Sequence, residues 1–546
     1  MTEGGVEREI TVTIVDSGRV IPHVKGETLL ETLLFEDEDI VADCGGASIC
    51  GTCSVHVVSA PPPAEESDHE LLGSQRVAEG WRLACRCYPT EDLLIEIDRS
   101  VGIHAMRIET SGLSHVEPQV GAIQQSYGLA IDLGTTTIVC YLVDLSGETG
   151  DLVVAFPNPQ RLAGADVVSR IAYAHEDKKN LEKLCKLVAN QINRRLIYLF
   201  EQEGVSGSEI TRIIMVGNMT MTHLFQGMDP WALGIAPYQP EQRVWDSQPA
   251  AMLFLPLFGT TPIHSFPGIA GHLGGDTVAG LMALNLRESK KTSLFLDLGT
   301  NGEIVVVHQG KAHGCTCAAG PAFEGVRISC GIPAVPGAIN EVVISGGDIQ
   351  TTTIEGAPPV GLCGSGLADA IVALLAAGLV DPSGRITPPE QLGEDVSADL
   401  RARVLTSGRG RKIALGKGVG HHAVEITQLD IREVQLAKGA FRTGIDILCR
   451  RVGVEQHCID QVYIAGGFGN ALKPSTLIAL GVLPPELQDR IIPAGNVAGV
   501  GARAALFSDA ADADALDIAN WVEHLPLESA PDFSAAFTAN LTFPKQ

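Results

Sequence analysis

The sequence predicts a multidomain chain of α+β and α/β type, and three observations carry that prediction. Four cysteines, Cys44, Cys50, Cys53 and Cys85, sit near the start at C-x5-C-x2-C-x31-C spacing. Two copies of an Asp-Leu-Gly-Thr turn stand far downstream, at Asp132 and Asp297, each between apolar runs. Between these features residues 99–126 turn to Gly, Ser, Gln, Pro and scattered charge, with neither helical nor strand periodicity. The expected units are a small domain over residues 1–98, a linker over 99–126, and two related halves over 127–290 and 291–546.

Within the first unit Ile10–Val15 alternates as a strand, and Thr28 followed by Glu31 forms a capping box that opens a helix over Leu29–Phe35. Cys53–Val58 resumes a strand, Leu71–Gly80 reads as a helix, and Leu93–Ile97 closes with apolar alternation. In the loop D-C-G-G-A-S-I-C-G-T-C, Gly45, Gly46 and Gly51 allow the backbone to curl and turn its N–H groups toward bound sulfur. Four thiolates so spaced suit a 2Fe-2S cluster, and the unit resembles a β-grasp 2Fe-2S ferredoxin. A zinc site accepts the same thiolates and stays open as an alternative. The segment R-L-A-C-R-C offers both Cys85 and Cys87 as the fourth ligand. Cys85 is preferred because R-L-A-C resembles the approach to the last ligand in ferredoxins. The linker, read as a flexible coil of 28 residues, would span roughly 30 Å end to end, enough for the first unit to swing between partners.

The second unit opens with a strand over Tyr127–Ile131, the turn D-L-G-T-T-T, and a strand over Ile138–Val143. The arrangement returns as S-L-F-L-D-L-G-T-N-G-E-I-V-V-V, with Asp297 in the place of Asp132. Gly134 and Gly299 let backbone approach phosphate, Thr135, Thr136, Thr137, Thr300 and Asn301 can donate to phosphate oxygens, and each Asp can hold Mg2+. A third strand and glycine turn, Val462–Asn470, offers Gly466 and Gly467 as bare backbone for a base and ribose. Together these pieces resemble the actin, sugar-kinase and heat-shock chaperone superfamily, the ASKHA ATPases of ribonuclease H-like fold. A Walker loop is absent, and the G-x-G-x-x-A at Gly499–Ala504 sits outside a clear strand-to-helix context, which speaks against a Rossmann site.

Composition narrows the function classes. The net charge of −26 argues against nucleic acid as a partner. Residues 1–100 hold 7 Lys and Arg against 20 Asp and Glu, half of the excess negative charge, a surface that can steer a basic redox partner. No apolar run approaches the roughly 18 residues of a membrane span. The 13 cysteines, an odd number without a secretory signal, point to a reducing compartment, and the cytoplasm is the expected location.

Further segments carry a more specific resemblance: N-P-Q-R-L-A-G-A-D-V-V-S-R-I from Asn158, V-G-N-M-T-M-T-H from Val216, A-A-G-P-A-F-E-G from Ala318, G-L-C-G-S-G-L-A-D from Gly361 and I-T-Q-L-D-I-R-E-V-Q-L-A-K from Ile426. With the cysteine loop and the paired turns, they resemble the ATP-dependent reductive activators of corrinoid proteins over nearly the whole chain. One departure is expected: some members place an extra middle domain before the first phosphate turn, where this chain has only its linker.

The resemblance implies that the chain returns one electron to a corrinoid protein stalled as cob(II)alamin, restoring the cob(I)alamin of a methyltransferase system. It implies a 2Fe-2S cluster, ATP and Mg2+ as cofactors, an external low-potential electron donor, and homodimerisation. Plant-type clusters lie near about −400 mV, so the step runs uphill. Binding that prefers the reduction-ready corrinoid state by ~10⁴-fold corresponds to roughly 240 mV for one electron. Residue by residue, Cys44, Cys50, Cys53 and Cys85 would ligate the cluster. Asp132 and Asp297 would organise Mg2+ and the attacking water, with Glu303 assisting. Gly134–Thr137 and Gly299–Gly302 would cradle phosphates, and Gly466 and Gly467 would face adenosine. Lys438 reads as a helix-surface lysine, His223, His272, His421 and His422 as structural, and Cys315 and Cys317 as buried thiols. Two rivals share parts of the pattern. An activator of 2-hydroxyacyl-CoA dehydratases would lack the ferredoxin unit, and a small-molecule kinase with an iron-sulfur sensor would release a phosphorylated product.

Overall fold

Apolar alternation in the first hundred residues closes into a mixed five-stranded sheet in the order Val20–His23, Ile10–Ile14, Leu93–Ile97, Ser54–Val57, Trp81–Leu83. These elements come from a computed structural model that describes residues 10–545 apart from 37, 39, 41, 43–45, 47, 49, 50, 99–108, 116–125, 148–150, 165, 300, 326–327, 408–409, 418–422 and 468–470. The first and last strands run parallel at the centre of the sheet, Val12 beside Leu93, and the helix Leu29–Phe35 packs across it, as in a β-grasp fold. The capping box is formed, with Thr28 N–H donating to Glu31 Oε2 at 2.5 Å and Glu31 N–H to Thr28 Oγ1 at 3.2 Å. The strands at Val20–His23 and Trp81–Leu83 are too short for alternation to reveal. The second helix runs over Glu66–Ala78, earlier than expected, because Glu65 and Asp68 make an acidic capping box, and it breaks at Gly73, where φ is 80°.

The two halves are visibly duplicated. In the first, strands lie in the order Pro262–Ser265, Ile210–Gly217, Tyr127–Leu133, Thr137–Asp144, Leu152–Pro157, with a short sixth strand, Gln248–Pro249, at the edge. In the second the order is Ile491–Gly495, Gln461–Ala465, Ser293–Leu298, Gly302–His308, Lys311–Cys317, with Val522–His524 added at the other edge. Strand directions match as well. Each Asp-Leu-Gly-Thr strand pairs antiparallel with the strand after its turn and parallel with the next strand inward. The second half also carries two three-stranded sheets, within Ala338–Leu362 and Val404–Thr427, and the long helix Gln428–Val452.

The strands Pro262–Ser265 and Ile491–Gly495 each precede a helix, Gly275–Ala283 in the first half and Val497–Ala505 in the second, and these two helices cross each other at the hinge. The crossing is close enough to exclude side chains. A Cβ on Gly501 would stand 2.1 Å from the Ala279 carbonyl oxygen, and one on Gly499 would stand 2.5 Å from Tyr141 Oη. This corrects the reading of Gly499–Ala504. The glycines do follow a strand and open a helix, but they serve helix packing rather than a dinucleotide loop. Buried residues of both halves, including Tyr141, Val278, Phe295, Tyr463 and Ala502, form one core around this hinge.

The linker is not a free coil along its length, and the first unit does not stand apart. Leu113 N–H donates to Ala494 O and His115 N–H to Ala283 O, so Glu109–His115 is strapped over both halves. The ferredoxin-like unit docks on the first half: Phe35 stacks on Tyr173 at 6.5 Å, Lys183 lies 5.0 Å above the Phe35 ring, and Arg194 Nη2 donates to Glu38 O at 3.0 Å. Lys438 is also not a surface residue. It is buried under the C-terminal tail, Nζ donating to Thr542 O at 2.5 Å, and burial lowers its pKa to about 8. Among the described residues no helix is long and apolar enough to cross a membrane.

Gly501→Val is expected to cost about 2–3 kcal/mol, because the hinge helices cannot separate without opening their shared core. A thermal melt checks it: a midpoint unchanged from the native chain would show that the crossing tolerates a side chain.

Candidate functional site

The first phosphate turn is held from behind by three asparagines. Gly134 N–H donates to Thr137 O at 2.9 Å, closing the hairpin, and a Cβ on Gly134 would stand 2.7 Å from that same oxygen. Asn158 anchors the turn twice, its Nδ2 donating to Gly134 O at 2.8 Å and its backbone N–H to Thr136 O at 2.8 Å. Asn218 caps the helix Met219–Phe225 by accepting from Met221 N–H at 3.0 Å, which fixes its amide and leaves Nδ2 to donate to Thr135 Oγ1 at 2.9 Å. The Thr135 hydroxyl, already an acceptor, keeps its proton for an incoming oxygen.

Asp132, at the end of the strand before this turn, accepts from Asn496 Nδ2 at 2.7 Å. Desolvation nevertheless raises its pKa to about 6. A second acid stands close by. Asp276, in the first turn of the hinge helix Gly275–Ala283, has its pKa raised to about 7, by desolvation first and then by the charge of Asp132, against the pull of hydrogen bonds from Thr277. Both residues keep a sliver of exposure at the cleft. Two carboxylates held this way repel each other and favour a cation between or beside them.

The second turn repeats the geometry with different chemistry. Among the described residues Asn301 Nδ2 is buried without a hydrogen-bond partner, a donor whose burial is costly unless an acceptor arrives. Thr300 lies outside the described residues. Gly302 has another reason for being glycine: a Cβ there would meet Phe441 at 2.4 Å and Cys317 Sγ at 2.6 Å. Gly299 is less confined, its added Cβ 3.3 Å from Asn301 O. Glu303 pairs with Asp297 across the hairpin and is buried on the same face of the sheet. Gly466, with φ at 88°, lies against Asp297, since a Cβ there would stand 2.3 Å from Oδ1. Among the described residues nothing stands within 4 Å of a Cβ added at Gly467. Of the adenosine pair, one therefore supports the second carboxylate and one leaves backbone bare.

In the first unit Cys53 and Cys85 are brought together, their Sγ atoms 3.4 Å apart, with Ser48 Oγ 3.4 Å from Cys85. Gly46, Ser48 and Gly51 all take positive φ, at 92°, 62° and 74°, the left-handed backbone of a loop folded around something. Cys44 and Cys50 lie outside the described residues. Cys87 is buried, its thiol pushed up to about 12 by burial and then by Asp68. The donor set fits a thiolate-bound cluster, as the orphaned Asn301 amide and the protonated Thr135 hydroxyl fit phosphate.

Other side chains fall outside the site. His223 is buried and bonds Met219 O at 2.7 Å, and Cys315 and Cys317 are buried thiols raised by desolvation. His421 and His422 lie outside the described residues. Sequence reasoning missed Asp276, Asn496, Asn158 and Asn218. A signal existed: V-G-N at Val216, G-G-D at Gly274 and A-G-N at Ala494 each end in an amide or acid just after a glycine.

Comparisons with known proteins agree with this geometry. Residues 12–90 match the 2Fe-2S iron-sulfur cluster binding domain, 127–289 the RACo middle region, and 291–546 the C-terminal domain of RACo, the ASKHA domain. The middle region is therefore not missing before the first phosphate turn; it is the half that carries that turn. A corrinoid activation enzyme, RamQ of Eubacterium limosum, is 32% identical over 76% of this chain and 70% of its own length. The [Co(II) methylated amine-specific corrinoid protein] reductase of Methanosarcina barkeri is 25% identical over 76% of this chain and 77% of its own. A solved reductive activator for a corrinoid, iron-sulfur protein superposes with a TM-score of 0.69 at 29% identity, covering 98% of both chains. The chain belongs to the ATP-dependent reductive activators of corrinoid proteins.

Proposed function

We propose that this chain activates a corrinoid protein of a methyltransferase system by ATP-dependent, one-electron reduction of inactive cob(II)alamin to cob(I)alamin. The observation that carries the reading is a ferredoxin-like unit, with Cys53 and Cys85 drawn together, docked on the half that holds the first of two duplicated Asp-Leu-Gly-Thr turns. When bound, the 2Fe-2S cluster supplies a one-electron donor and ATP with Mg2+ supplies the energy of binding and hydrolysis. Cys44, Cys50, Cys53 and Cys85 hold the cluster, which the 3.4 Å approach of Cys53 to Cys85 supports for two of the four. Thr135, Thr136, Thr137, Thr300 and Asn301 donate to phosphate, with Gly134, Gly299 and Gly302 shaping the turns and Gly467 leaving backbone open to adenosine.

Asp132 and Asp297 hold Mg2+, and Asp276 orients and deprotonates the attacking water, since a carboxylate titrating near neutrality suits a general base. Asn496 and Gly466 fix the two metal-binding acids. The acidic first unit receives electrons from an external low-potential donor, and the chain works in the cytoplasm as a homodimer.

Three outcomes test these assignments. Cob(II)alamin bound to the candidate corrinoid protein is converted to cob(I)alamin, followed by its absorption spectrum, only with ATP present; equal rate and extent without ATP sinks the reading. Cys85→Ser abolishes or shifts the EPR signal of the reduced cluster while Cys87→Ser leaves it; the reverse pattern would overturn the ligand set, and a colourless, zinc-bound native protein would overturn the cluster. Because the folded-state pKa values of Asp132 and Asp276 lie above the ordinary carboxylate range, the folded chain binds more protons than the unfolded one between about pH 4 and 7. Nucleotide-free stability therefore falls as pH rises through that window. Asp276→Asn is expected to melt higher than the native chain at pH 8, with the gap closing toward pH 5, while ATP turnover drops about 10²-fold or more. A melt difference independent of pH would show that Asp276 is not the buried acid described.

A further inference from the structure

The segment Glu109–His115 is bonded to the nucleotide clamp at points that belong to its working parts. Ser111 O accepts from Asn496 N–H at 2.8 Å, and the Asn496 side chain is the one that holds Asp132. Thr110 O accepts from Tyr141 Oη at 2.7 Å, in the first half. Gly112 lies so close to Asn496 that a Cβ would meet its carbonyl carbon and oxygen at 2.8 Å, and it bridges to Gly495 at the free edge of the second half's sheet. His115 then bonds the C-terminal end of the first half's hinge helix, N–H to Ala283 O at 2.7 Å and Nδ1 to Leu284 O at 3.1 Å, with its ring edge-on to Tyr463 of the second half. Within seven residues the strap thus touches both halves, the hinge and the residue that positions the first metal-binding acid.

A strap fixed to two bodies on either side of a hinge cannot keep all its bonds when the bodies rotate. A rotation of the two halves about the helix crossing would change the relation of Asn496 to Asp132 and of Ala283 to Ala494, and the strap's bonds span both pairs. In sequence, its N-terminal end is joined to the ferredoxin-like unit through residues 99–108. That unit has a second tie to the same machinery. Leu34 and Ala42 line one small cleft with Pro157, Asn158 and Arg161, and Asn158 is the residue that anchors the first phosphate turn.

We propose that Glu109–His115 is a mechanical coupler, with Asn496 its positioning residue, through which nucleotide occupancy of the clamp sets the placement of the ferredoxin unit and hence the access of reductants to its cluster. The inference rests on the reading above that the clamp binds ATP and the first unit binds the cluster. Coupling of this kind works in both directions, so the state of the ferredoxin unit also biases nucleotide affinity by the same factor.

The test uses the full cluster-loaded chain. In the native protein a saturating non-hydrolysable ATP analogue changes the rate of cluster reduction by dithionite about fivefold or more. Gly112→Val, which forces the strap off Asn496, and separately Leu113→Asp, which detaches it from Ala494, bring that ratio to within about twofold of one. Both variants are first shown to bind the analogue and to keep the native cluster spectrum. A merely structural strap would lower the melting midpoint and leave the ratio intact. A ratio of one in the native chain, or an unchanged ratio in both variants, overturns the coupling. Failure of the native chain to bind analogue or assemble a cluster overturns the underlying reading instead.

Discussion

The nucleotide site depends on one close contact, the crossing of the helices Gly275–Ala283 and Val497–Ala505. The first residues of both helices, Asp276 and the cap Asn496, lie at Asp132, and the crossing sets how near those two N-terminal turns come. Without a side chain at Gly501 the Val497–Ala505 helix rests on the Ala279 carbonyl, and Asp276 and Asn496 then reach the same carboxylate, Asp132, from opposite halves. A bulkier contact would push the halves apart at the pivot and magnify the gap at the turns. The positive ends of both helices also point at this acid-rich place and offset part of its charge.

The ferredoxin unit is attached by charge as well as by packing. Its acidic surface meets the helix Lys178–Glu203, which presents Lys183 to Phe35 and Arg194 to the Glu38 carbonyl. Surface pairs of this sort contribute little each, and the stacked and buried apolar groups, with Leu34 and Ile40 joining a core that continues into the first half, supply the rest.

Local chemistry was legible and assembled chemistry was not. The cysteine spacing, the capping box at Thr28 and the two Asp-Leu-Gly-Thr hairpins are written in consecutive residues, and the structure has each hairpin and the capping box in place. Asp276 and Asn496 were missed because their meaning comes from two strands and two helices that are distant in sequence and adjacent only through the hinge. The strap was read as coil because its bonds use backbone N–H and carbonyl groups, which leave no pattern in side-chain type. Lys438 was misplaced for a related reason. The amphipathic stripe of Gln428–Val452 suggests a wet face, but the tail through Phe543 folds back and covers it.

The electrostatics of the cleft give the clamp a reason to wait for its ligand. Asp132 and Asp276 are desolvated and mutually repelling, and among the described residues the buried Asn301 amide meets no acceptor. Each is unfavourable alone; a divalent cation held at Asp132 would offset the repulsion, and phosphate oxygens would satisfy the amide. Nucleotide-free closure would deepen the desolvation without that compensation. The stable closed form is then the ligated one, and a strap that senses closure senses nucleotide rather than random breathing of the hinge.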